Sequence, residues 1–168
     1  RDGKIGRAKE AYLEAESWLY LSANQDHGEA QFYLGHLYHV GKGVQRDFTV
    51  ASRWYQEAAK QDIANALYQL SWMAKEGRGL KKDKRIAKKY LKRAAAQGHP
   101  EAQYDMGLLF AKSSEFIRAH MWFDLAAQHP GQDGIEERDI MANKLTLTQV
   151  KMAERLAQEC IERDYKGC

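Results

Sequence analysis

Proline occurs only twice in the 168 residues and cysteine only twice. So little proline argues against a disordered or collagen-like chain, and two cysteines cannot supply a disulfide framework that would replace a hydrophobic core. No run approaches the roughly 18 consecutive apolar residues of a membrane span. The opening stretch RDGKIGRAKEAYLEAE is too charged to be a secretory leader, and it begins with Arg1 rather than Met, as a processed chain or a fragment would. Neither sign of charge dominates, since 26 Lys and Arg stand against 23 Asp and Glu. A net +3 does not by itself demand a polyanionic partner. Catalytic signatures are missing as well: there is no G-x-S-x-G, no phosphate-cradling glycine loop and no H-E-x-x-H. The acidic residues near the end, Asp133, Glu136, Glu137 and Asp139, read as exposed carboxylates rather than a general acid/base pair. What remains is one soluble domain, 44% hydrophobic and 29% charged.

What the chain does have is a period. Ala30, Ala66 and Ala102 are 36 residues apart, as are Leu34, Leu70 and Met106. Gly35, Ser71 and Gly107 follow, with Gly41 and Gly77, Gly43 and Gly79, Asp47 and Asp83. The second half of each unit repeats too, in Ala51 and Ala87, Trp54 and Tyr90, Ala58 and Ala94. A third copy continues at Ala119, Trp122, Ala126 and Ala127, with its internal loop four residues shorter. Ala15, Trp18 and Ala23 stand one period before Ala51, Trp54 and Ala59, so the sequence opens on the second half of an earlier unit.

Apolar residues recur at helical spacing within the unit, Ala30, Leu34, Leu37 and Tyr38 on one face and Val50, Ala51, Trp54, Tyr55 and Ala58 on another. Each unit is therefore a helix hairpin. The paired glycines supply the positive-φ positions that end its first helix, and Asp47 and Asp83 stand where they cap the second. Such hairpins stack unit against unit as an α-solenoid. The expected division is 8–28 as the second helix of a truncated unit, 29–64 and 65–100 as full units, 101–130 as a contracted unit, and 131–168 as terminal helices. The last helix is expected to turn Val150, Ala153, Leu156 and Ala157 inward, with Thr146 or Thr148 as its cap.

The run from Ala30 to Ala59, A-QFY-LG-HL-Y-HV-G-K-GV-QR-D-FTV-A-SR-WY-QE-AA, resembles the Sel-1-like repeat, a relative of the tetratricopeptide repeat. The resemblance extends over roughly residues 8 to 163. It implies an all-α, right-handed solenoid that acts as a non-catalytic adaptor, a monomer without metal or cofactor that holds another protein or a peptide segment. In related arrays the first helices line a concave groove. Carried over column by column, this gives Phe32, Tyr68 and Tyr104, then His36, Trp72 and Leu108, then His39, Lys75 and Ala111, followed by Lys112, as groove residues. Aromatic side chains with few rotors suit recognition of an extended or helical segment. The competing reading packs the same aromatics into the neighbouring unit.

Two features stand outside that scheme. Between Arg78 and Arg93 nine basic residues meet one acid, and helical spacing turns Lys84, Arg85, Lys88, Lys89 and Lys92 outward. This stripe would suit nucleic acid or anionic lipid as a rival function, although a solvated helix face is the simpler reading. Cys160 and Cys168 would lie about 12 Å apart if helix ran through both, too far for a disulfide, whereas a chain that folds back at Gly167 brings them together. Two thiols in a cytoplasmic protein are the alternative. The tail ECIERDYKGC resembles the ends of exported Gram-negative members of the family, which implies a periplasmic or secreted setting. A cell-wall-directed hydrolase-like activity, suggested for cysteine-rich exported relatives, is the third functional reading. His36 and His39, spaced i, i+3 after His27, lack a third ligand and are not read as a metal site.

Overall fold

The computed structural model describes residue 14 and residues 16–129 and 134–168. Residues 8–13, Ala15 and Asp133, which entered the reading above, lie outside this set. All regular structure among the described residues is helical: residues 16–24 (α1), Gly28–Val40 (α2), Phe48–Lys60 (α3), Ala64–Glu76 (α4), Lys84–Ala95 (α5), Pro100–Lys112 (α6), Phe116–Ala127 (α7), Ile135–Ala142 (α8) and Leu147–Glu162 (α9). The fold is all-α and of the α-solenoid class. Two compact units divide the chain, Arg1–Tyr90 and Leu91–Cys168.

In the first unit α3 packs against both α2 and α4. Gly41 and Gly77 end α2 and α4 in the left-handed region, each with its N–H returned to the carbonyl four residues back. The chain then re-enters by the same bond in both copies, Asp47 N–H to the Tyr38 carbonyl and Asp83 N–H to the Ala74 carbonyl, each 2.9 Å. Asp47 accepts the N–H groups of Thr49 and Val50 at 2.7 and 3.0 Å, and Asp83 those of Arg85 and Ile86 at 2.8 and 3.2 Å. These bonds hold the Asp83 carboxyl below its ordinary range, with Arg85 and Lys81 adding to the effect. Gly79 is the tightest position: at φ +70°, a Cβ there would stand 2.0 Å from the Phe48 carbonyl oxygen.

Close approach of the two helices of a hairpin needs the glycine column. A Cβ at Gly35 would meet the Tyr55 ring at 2.8 Å, and one at Gly107 would meet the Phe123 ring at 2.6 Å. In the copy where the column holds Ser71, the aromatic column holds Leu91. A second repeated clamp is polar. Buried Gln31 donates its amide to the Ala23 carbonyl at 3.2 Å, and Gln103 donates to the Ala95 carbonyl at 3.4 Å, both across eight residues. Each adds a second bond to a helix-end carbonyl that already accepts a main-chain N–H, from Asp26 at Ala23 and from Gly98 at Ala95, both at 3.1 Å.

In the second unit α7 is the central helix, in contact with α6, α8 and α9, and its Trp122, Phe123 and Leu125 are each 1% exposed. Ser113 to Glu115 form the contracted loop, with Ser114 in the left-handed region at φ 61°. Thr146 caps α9 in a reciprocal box with Gln149, while Ala153 and Ala157 are buried and Val150 and Leu156 half-buried. After α9 the backbone turns through Asp164 and Tyr165, both at positive φ, and Cys160 pairs with Cys168 in a disulfide with Cα atoms 5.7 Å apart. Tyr165 is thereby laid on Gly98, whose Cβ would come within 2.9 Å of the ring.

Candidate functional site

Each groove candidate of the first unit lies on α2 or α4. Phe32 is half-buried and stacks on Tyr55, ring centres 5.7 Å apart, and on His36 at 6.1 Å. His36 and Lys75 are exposed, while Tyr68, His39 and Trp72 are half-buried. His39 stacks on Trp72 at 5.3 Å, meets the edge of Phe48 at 5.3 Å, and its Nδ1 lies 3.3 Å from the Tyr55 hydroxyl. Burial lowers the His39 pKa first, and His36, Arg46 and Arg78 lower it further. Burial alone pushes the Tyr55 hydroxyl up, so it stays protonated.

Two guanidinium groups cover this aromatic layer. Arg78 lies 5.4 Å from the Phe48 ring centre and 5.5 Å from that of Trp72, and Arg46 lies 5.5 Å from Phe48. The face is thus a layer of rings with cations at its edge. Arg46, Phe48, Tyr55 and Arg78 were absent from the sequence-derived set. Phe48 was detectable as a break in period, because the next copy has Lys84 at that column. Arg78 was counted with the basic run, yet it turns onto the rings.

The second-unit candidates behave differently. Tyr104 is half-buried, edge-on to Phe123 at 5.5 Å, and its hydroxyl donates to Glu137 of α8 at 2.6 Å. Glu137, expected to be exposed, is half-buried because Tyr104 draws its carboxylate inward, and its second oxygen is buried without a hydrogen-bond partner. Leu108 and Lys112 are exposed on α6. The five cations of the stripe, Lys84, Arg85, Lys88, Lys89 and Lys92, are all exposed along α5, with Ile86 among them at 47%. Ala87, Leu91, Ala94 and Ala95 occupy the buried side of the same helix. Among the described residues no group of three or more His, Cys, Asp or Glu side chains is placed to hold a metal ion, and no helix is long and apolar enough to cross a membrane.

Helix hairpins of 36 residues, glycine-ended and aspartate-capped at matching columns, define a repeat protein of the α-solenoid class. The Sel1 repeat family model matches residues 28–63, 64–99 and 100–130, and the chain belongs to that family. Among solved structures it is similar to a Sel1 repeat protein from Oxalobacter formigenes, at 31% identity and a TM-score of 0.68 over 76% of this chain and 54% of that one. It is also similar to c5321, described as a protective antigen present in uropathogenic Escherichia coli strains and displaying an SLR fold. There the identity is 27% and the TM-score 0.63, over 91% of this chain and 42% of that one. The chain therefore spans about half the length of these structures. No curated protein matches it.

Proposed function

We propose that this chain is a non-catalytic interaction module that holds an acidic segment of another protein on the paired face of α2 and α4. The observation that carries this reading is the ring layer of Phe32, His39, Trp72 and Phe48, half-buried and bordered by Arg46 and Arg78, with Lys75 exposed three residues after Trp72 on α4. Half-buried rings offer apolar area at little entropic cost, and the cations favour a segment that brings carboxylates to the edge. The disulfide, together with the resemblance to an Escherichia coli antigen, supports an exported protein acting outside the cytoplasm.

The test places a photo-crosslinking residue at His36 or Lys75, and in a control at Lys88 or Lys89, in extracts of the source organism. Adducts of one size from the first pair, lost on Trp72→Ala at unchanged helicity, are the expected result. Equal adducts from the control pair would move the interaction to α5. That second reading draws on the five exposed cations of α5, and predicts binding of a polyanion that weakens steeply as salt rises.

A further inference from the structure

The second unit holds a cavity of about 260 Å³ that none of the comparisons assigns a role and that the face of α2 and α4 does not include. Its floor is apolar, made by Phe110 of α6, Met121 and Trp122 of α7, and Leu156 of α9. One wall is the Cys160–Cys168 disulfide with Gly167, so the folded-back tail closes a side that a continuous helix would leave open.

The charged groups at this cavity are unequal in sign. Lys92, Arg118 and Arg163 line it, against the single carboxylate of Glu159. Glu159 is already met by Arg155 at 3.5 Å, and Arg118 is held over the Phe110 ring at 5.5 Å while it pairs with Glu115 at 2.8 Å. No acidic side chain among the described residues pairs with Lys92 or Arg163, and both are exposed. Two unneutralised cations beside a floor of rings and aliphatic groups attract an anion more strongly than either would in open water.

Size narrows the choice. The volume falls below the roughly 300–1,000 Å³ of pockets that enclose drug-sized ligands, so the cavity suits a group of about one amino-acid residue. We propose that it binds a carboxylate on a short branched apolar stem, with the carboxylate between Lys92 and Arg163 and the stem on Phe110 and Leu156. Two sources present this chemistry, the C-terminal residue of a polypeptide ending in leucine and a small free acid such as 4-methylpentanoate.

The experiment titrates the isotope-labelled chain with acetyl-Gly-Gly-Leu, with its C-terminal amide, and with 4-methylpentanoate, followed by amide chemical shifts. Expected are saturable shifts around Met121, Leu156 and Gly167 for the peptide acid, and affinity at least tenfold weaker for the amide. Lys92→Gln with Arg163→Gln, both at exposed positions, weakens the acid by at least tenfold while helicity and melting stay as in the parent chain. Binding of 4-methylpentanoate as tightly as the peptide assigns the site to small acids, and binding of the peptide alone assigns it to chain termini; either supports the proposal. Equal binding of acid and amide, equal binding by the double variant, or no saturable shift at millimolar ligand overturns it.

Discussion

The imidazole of His39 lies on the indole of Trp72, ring centres 5.3 Å apart and planes 21° from parallel, and this stack ties α2 to α4. Recognition and stability therefore share residues on this face. Trp72→Ala is expected to weaken partner capture and also to destabilise the fold by about 2 kcal/mol, from partial burial plus the aromatic contact. Urea unfolding checks the second effect. Lys75→Glu, at an exposed position, should leave the unfolding free energy within about 0.5 kcal/mol of wild type and still weaken an acidic partner.

Acidification should loosen the structure before its carboxylates titrate. His39, His99 and His120 all have pKa values below 6.5, with burial as the first cause in each; for His99 burial outweighs the opposing pull of Glu101 and Asp105. The unfolded chain thus binds more protons than the folded one just below pH 6.5. Stability from these groups is complete above that value and is lost as pH falls through the window beneath it. His99 Nδ1 also accepts the Ala102 N–H at the start of α6, which a protonated ring cannot do. The urea midpoint should fall from pH 7.5 to pH 5.5, and His99→Asn, which keeps a capping acceptor, should flatten part of that slope.

Gly79 and Gly167 share positive φ, at 70° and 85°, yet their substitution should differ sharply. Alanine at Gly167 meets nothing within 4 Å and should cost about 1 kcal/mol, the backbone penalty alone. Alanine at Gly79 collides with the Phe48 carbonyl and should cost about 3 kcal/mol or more. Thermal unfolding of the two variants side by side gives the comparison.

Reduction of Cys160–Cys168 should remove about 2.5 kcal/mol on the loop-entropy account of a nine-residue ring. The loss should be local, with Tyr165 leaving Gly98 and the last turn of α9 exchanging its amide hydrogens faster than α7. Intact mass before and after reduction with alkylation reports whether the native chain carries the bond.

Repetition made the hairpins legible in the sequence. Asp47 and Asp83 cap because their columns recur, and the loop return survives the change from Tyr38 to Ala74 because it uses a main-chain carbonyl. The buried glutamines were missed although Gln31 and Gln103 share a column, since Leu67 stands between them and a polar residue near a helix start ordinarily faces water. The aromatic face was legible only in part. Phe32, His39 and Trp72 follow the first-helix columns, whereas Phe48 and Arg78 stand at columns that hold Lys84 and Lys42 in the other copy, so the turn recurs but these side chains do not. Tyr104 has the right column, and Glu137 from a later helix engages it.

The seat of Tyr55 on Gly35, and of Phe123 on Gly107, bears on how such arrays are built or recombined. Glycine and ring form a single inherited element within one hairpin, so a crossover that falls between them joins a Cβ to a ring that has no room for it. Exchanges whose junctions lie between hairpins keep each pair whole. Length can then vary by whole hairpins while the joint within each remains the same.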